Sequence, residues 1–146
     1  MKSVTIIIIV LVLFGSFACT ESSNKSQEGP SEVINMEPYW RGQRLYRAHC
    51  QNCHQESGEG VGRIYPPLAK SDYLLANQSR AIRVIKNGLN ETITVNGEEF
   101  NNAMPNNVKF VDDDIAALMT YIGNTWGNNM GNVSQSDVRK ALDHSK

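Results

Sequence analysis

The sequence predicts a small all-α domain of four to five helices with one short β-hairpin, spanning residues 36–146 and preceded by a segment of different character. Three observations carry this. Ile115, Leu118, Met119 and Ile122 recur at helical spacing. Cap residues bracket other short periodic stretches, and Asn96-Gly97 supplies a tight-turn dipeptide. The densest apolar block is confined to the beginning of the chain, which leaves a polar, glycine-containing body. A domain this small buries little surface, so something besides side chains is expected to complete its core.

In chain order, a first helix is expected from about Pro38 to His49, proline being well suited to a first helical turn. Loops rich in Gly58, Gly60 and Gly62 follow, then a short helix after Ser71. Another helix should run from Arg80 to Asn87, capped by Ser79 and closed by Gly88, with Ala81, Ile82 and Ile85 facing inward. The hairpin should join Thr92–Val95 to Glu98–Phe100. Asp112 is expected to cap the last main helix, with Asp113 and Asp114 in its first turn, where the helix dipole favours negative charge. Adjacent aspartates at a helix start are read as caps and not as an acid–base pair. Ser134-Gln135-Ser136-Asp137 has the pattern of a capping box and opens a final helix through about Leu142.

The first 35 residues divide in two. Met1 and Lys2 precede an apolar run from Val4 to Phe14 and the small residues Gly15, Ser16 and Ala18, the pattern of a secretory signal over residues 1–18. The run is shorter than the ~20 residues that a spanning helix needs. Ser16-Phe17-Ala18-Cys19 resembles the lipobox of bacterial lipoproteins, in which Cys19 is lipidated and becomes the first residue. Ser16 stands where that pattern usually has leucine, and Ser16 with Ala18 also fits ordinary signal peptidase, which would leave Cys19 a free thiol. Residues 19–35 then read as the anchor cysteine and a flexible polar linker. A net charge of -1 offers no broad field for nucleic acid, which is set aside as a partner.

Two of the three cysteines lie in Cys50-Gln51-Asn52-Cys53-His54, the attachment signature of c-type haem. Two intervening residues let both thiols reach the vinyl groups on one porphyrin edge, and the next residue brings the imidazole of His54 beneath the iron. A thioredoxin-like pair would need a strand-to-helix context, and half a zinc site would need a second ligand pair. Neither is present: the third cysteine is Cys19, and His49 and His144 are not spaced as a zinc pair.

The sixth ligand separates a closed carrier from a centre that binds small molecules. Met104 lies 50 residues after His54 in the polar stretch Asn101–Asn107, where a thioether has no apolar face to fill. Met119 belongs to the core stripe, Met130 to an Asn- and Gly-rich turn, and Met36 precedes the domain. A loop methionine plugging a gap is the bland alternative for Met104. His49 is pinned beside Cys50.

From about Met36 to Trp126 the sequence resembles class I monohaem cytochromes c. Gly42, Tyr46 and Cys50, four apart, match that family's contact glycine, aromatic and first haem cysteine, while Leu118 and Tyr121 match the pair that packs against the first two. Ile93–Gly97 and Thr120–Trp126 resemble segments of bacterial cytochromes c, some serving respiratory oxidases and dehydrogenases or fused to copper nitrite reductases. The resemblance implies one haem c bound through Cys50 and Cys53, iron ligated by His54 and Met104, and a carbonyl of Pro66, twelve residues past His54, accepting the Nδ1 proton. Val111 departs from the pattern, which has a serine there.

The expected function is electron transfer by an exported, membrane-anchored lipoprotein on the periplasmic or cell-surface side, a monomer without catalytic residues. A quinol-oxidising complex or dehydrogenase would be its donor, and a terminal oxidase or reductase its acceptor. The Arg41, Arg44 and Arg47 row is offset by Glu98, Glu99 and the aspartates, so partner charge is open. The rival function is a haem subunit or sensor in which a small molecule displaces Met104.

Overall fold

The computed structural model describes residues 36–143. The expected signal segment over residues 1–18, the expected anchor cysteine Cys19 and linker through residue 35, and His144 lie outside the described residues. Within residues 36–143 there are six helices and one two-stranded sheet, in the order α1 (Met36–His49), α2 (Gln51–His54), α3 (Asp72–Ala76), α4 (Gln78–Asn87), β1 (Ile93–Val95), β2 (Glu98–Phe100), α5 (Asp112–Ile122) and α6 (Gln135–Asp143). The count exceeds the expected four to five because the haem motif itself winds into one turn, α2. Met36, expected to precede the domain, opens α1. Among the described residues no helix is long and apolar enough to cross a membrane.

The architecture rests on the crossing of α1 and α5. Gly42 makes it close: a Cβ there would collide with the Ala117 carbonyl oxygen and lie 2.7 Å from Tyr121 Cβ. No side chain larger than hydrogen fits between the two backbones. Tyr46, one turn on, meets Tyr121 at 5.5 Å between ring centroids, and Trp126 at 5.0 Å. Leu118, the other expected partner, is buried in the same core cluster as Tyr46 and Tyr121 and also lines the neighbouring cleft. α5 is buried from Ile115 to Ile122, and α6 closes one flank through Val138 and Ala141.

Polar ends secure the same crossing. Arg41 is ion-paired with Asp113, and its Nη2 donates to Asp114 Oδ1 at 2.7 Å, so this member of the arginine row is no mere solvated face. The cap of α5 is Val111, not Asp112. Asp114 Oδ2 reaches back to the Val111 N–H at 3.1 Å, half of a capping box with the hydroxyl half missing. The cap of α4 is Asn77, not Ser79: its Oδ1 accepts from Arg80 N at 2.9 Å, and the helix starts at Gln78. α3 is capped by Ser71 as expected, and Ser134 and Asp137 bond reciprocally at the start of α6.

The hairpin pairs Ile93 with Phe100 and Val95 with Glu98 in antiparallel register. Both turn residues, Asn96 and Gly97, have positive φ (50° and 85°), as a primed turn requires. Asp72 and Asn96 exchange two side chain–backbone bonds of 3.0 and 2.8 Å, which fasten the turn to α3.

Candidate functional site

α1 runs almost directly into the motif. Cys50 N donates to Tyr46 O at 2.8 Å and His54 N to Cys50 O at 2.9 Å, so the turn carries Cys50, Cys53 and His54 as one rigid unit. The chain then breaks at Gln55 (φ 64°), whose carbonyl accepts the Tyr46 hydroxyl at 2.5 Å. The two thiols are not bonded to each other. His54 is buried, and its Nδ1 lies 2.9 Å from the Pro66 carbonyl oxygen. A carbonyl only accepts, so Nδ1 carries the proton and Nε2 presents a lone pair. Burial lowers the His54 pKa and so favours the neutral imidazole that a metal donor must be, while the Pro66 bond partly opposes that shift. Burial, then Cys53, pushes the Cys50 thiol up to about 12. Burial, then Cys50 and Tyr121, also raises the Tyr46 pKa.

Met104 is delivered differently. The chain leaves α4 at Gly88 (φ 78°), where a Cβ would lie 2.5 Å from the Met104 carbonyl oxygen. Leu89 and Met104 then exchange backbone bonds, Leu89 N to Met104 O at 3.0 Å and Met104 N to Leu89 O at 2.8 Å. The hairpin is the excursion between those two points. Lys86 O and Ile85 O accept from the backbone and side chain of Asn107, fixing the far end of the loop.

All five predicted domain-site residues line one cleft: Cys50, Cys53, His54, Pro66 and Met104, with Leu118, Phe100 and Ile85 among its apolar wall. It encloses about 1010 Å³ of empty space, its open mouth included. The other candidates lie elsewhere. His49 is exposed and packs edge-on to Phe110 at 5.1 Å, Met119 is wholly buried in the core, and Met130 packs against the core. Among the described residues no three His, Cys, Asp or Glu side chains converge as a protein-only metal site would need. One nitrogen donor, one thioether, two thiols and an apolar wall instead suit a flat macrocycle that brings its own equatorial nitrogens.

The family model for cytochrome c matches residues 40–126, from α1 to the end of the α1/α5 crossing. The chain belongs to the cytochrome c family. Members of this family carry covalent haem c, and here Cys50 and Cys53 hold it; the family's function, electron transfer through that haem, is the function of this chain. The chain is similar to cytochrome c-552 of Thermus thermophilus, 34% identical over 90 residues that make up 59% of this chain and 68% of that protein, or 60% of a second form of it from the same species. It is also similar to the cytochrome c subunit of the quinone alcohol dehydrogenases of Gluconobacter oxydans (29% over 101 residues, 68% of this chain) and Gluconacetobacter polyoxogenes (32% over 105 residues, 70% of this chain). The chain spans about a fifth of the length of those two subunits, 21% and 22%.

Sequence reasoning missed two supports of this cytochrome site. One is Asn128, buried with three hydrogen bonds into the Leu68–Lys70 segment and α5. The other is the Leu89–Met104 bridge. Neither has a local signal, since each depends on which remote segments the fold brings together.

Proposed function

We propose that the chain is a one-electron carrier and not an enzyme, with His54 and Met104 as the axial ligands of its haem iron. The observation that carries this is the commitment of His54 Nδ1 to Pro66 O at 2.9 Å, with Nε2 left free in the cleft that Met104 also lines. When bound, the haem supplies a one-electron redox centre. The protein's part is to hold that centre still. Cys50 and Cys53 would hold it by covalent bonds, His54 Nδ1 keeps its proton and donates it in a hydrogen bond to Pro66 O, and the apolar wall excludes water and disfavours net positive charge. With imidazole from His54 and a neutral thioether from Met104 as its ligands, the haem would favour the reduced state, so the potential is expected to be high for a c-type haem.

Several further readings belong to the same proposal. The chain is exported by residues 1–18, lipidated at Cys19 and tethered on the periplasmic or cell-surface side of a membrane by the polar linker through residue 35, as a monomer that docks transiently with redox proteins. The dehydrogenase subunits among its relatives support a quinol-oxidising complex or dehydrogenase as donor, with a terminal oxidase or reductase as acceptor. Mass spectrometry of the mature amino terminus tests the anchor, a diacylated Cys19 being expected.

Replacing Met104 by alanine tests the ligation. The purified holoprotein should lose its sulfur-ligated spectrum, fall in midpoint potential and begin to bind carbon monoxide when ferrous. The parent protein should bind none at neutral pH. Ready binding by the parent would favour the rival function, a haem subunit or sensor in which Met104 is displaced.

A further inference from the structure

The turn after α5 holds a buried amide that the haem motif does not use. Asn128 is 6% exposed, and its side chain is engaged at three points. Oδ1 accepts the backbone N–H of Lys70 at 2.8 Å, while Nδ2 donates to the carbonyls of Leu68 at 2.9 Å and Ile122 at 2.7 Å. One side chain thus ties the segment following Pro66 to the C-terminal end of α5. Both ends of this clamp are in unfavourable backbone conformations, with Lys70 at φ 52° and Trp126 at φ 56°, neither of them glycine. Such residues persist only where their surroundings over-determine them, and here the Asn128 bond to Lys70 and the packing of the Trp126 ring against Gly58 do so. The Trp126 ring lies against Gly58, whose carbonyl accepts the N–H groups of Leu68 and Ala69 at 2.7 and 2.9 Å. Pro66 therefore lies within a loop pinned at its base from two directions.

We infer that Asn128 is a positioning residue for the axial imidazole: through Leu68 and Lys70 it fixes the Pro66 carbonyl, and so sets the strength of the His54 Nδ1–H···O bond. The inference rests on the reading of His54 as iron ligand. A strong bond from Nδ1 makes imidazole a better donor and stabilises ferric iron, so a slack Pro66 loop weakens the donor and raises the midpoint potential.

The test uses the haem-loaded protein, with Asn128→Ala and the milder Asn128→Ser beside Val138→Ala, a core truncation in α6 that destabilises the fold without touching the loop. Two quantities are read: the exchange rate of the His54 Nδ1 proton by NMR of the ferric protein, and the midpoint potential. Asn128→Ala is expected to speed exchange ~10-fold and to shift the ferric-to-ferrous ratio ~3-fold toward ferrous at fixed ambient potential. Asn128→Ser should fall between, and carries the test if Asn128→Ala does not accumulate. Val138→Ala should move neither quantity by a comparable amount. If the Asn128 variants move both no further than Val138→Ala does, Asn128 is only a structural staple and the ligation reading stands. If the parent protein shows no iron-shifted imidazole proton at all, the ligation reading fails and takes this inference with it.

Discussion

The segment that supplies His54 and the segment that supplies Met104 are held by different means. His54 is fixed at short range: its turn continues α1, its backbone N–H bonds to Cys50 O, and its ring bonds to a carbonyl only twelve residues on. Met104 closes an excursion that leaves α4 at Gly88, passes through the hairpin and returns to pair with Leu89. Its hold is two backbone bonds, a close approach at Gly88 and the Asn107 anchors. The difference teaches that the proximal end of the cleft is built into the motif, whereas the distal end depends on tertiary assembly and should yield first.

Losing both thiols gives the largest expected effect. Cys50→Ala with Cys53→Ala should abolish haem that survives denaturing electrophoresis, and the apoprotein should lose most of its cooperative melt, since the cofactor completes the core. Gly42→Val comes next and strikes the proximal end, because α1 leads into the motif. Its side chain would meet the Ala117 carbonyl, at a cost of ~3 kcal/mol or more, read as a fall in thermal midpoint. Retained carbon monoxide exclusion in the folded fraction would agree with a Met104 segment held independently.

Gly88→Ala probes the distal end. Positive φ and the 2.5 Å approach to Met104 O predict a loss of ~1–3 kcal/mol together with partial carbon monoxide binding. Equal disturbance of the His54 and Met104 signals by this variant would break the comparison. The smallest effect belongs to α6. The Ser134 hydroxyl, then the Ser134 N–H, hold the Asp137 carboxyl below its ordinary pKa, so its contribution is present above the unfolded value and is lost as pH falls through the depressed one. Ser134→Ala should cost ~0.5–1 kcal/mol at neutral pH, being a solvent-screened cap, and the gap to the parent should narrow below pH ~4 in urea melts.

What was legible in the sequence follows the same division. The Cys50–His54 motif, the Asn96-Gly97 turn and the Ser134 box are local patterns whose chemistry acts within a few residues, and each reads directly. Met104 is legible only by elimination, because the other methionines had places in a core stripe, a turn or ahead of the domain. The caps at Asn77 and Val111 were displaced from Ser79 and Asp112 because capping depends on where tertiary packing starts the helix. Spacing points to Gly42 at the crossing, but spacing alone does not reveal a contact so close that the Ala117 carbonyl meets it. Asn128 has no pattern at all, being one polar residue in an Asn- and Gly-rich turn, two of whose three partners lie 58 and 60 residues earlier in the chain.

The contact between Gly42 and Ala117 has a consequence for the order of assembly. It joins segments 75 residues apart, and closing so long a loop is slow compared with winding α1 or the single turn after it. As the polypeptide is made amino end first, the two thiols are present well before the partner helix that will later pack beside them. The attachment site is thus accessible for an interval, which arrival of the final third of the domain ends.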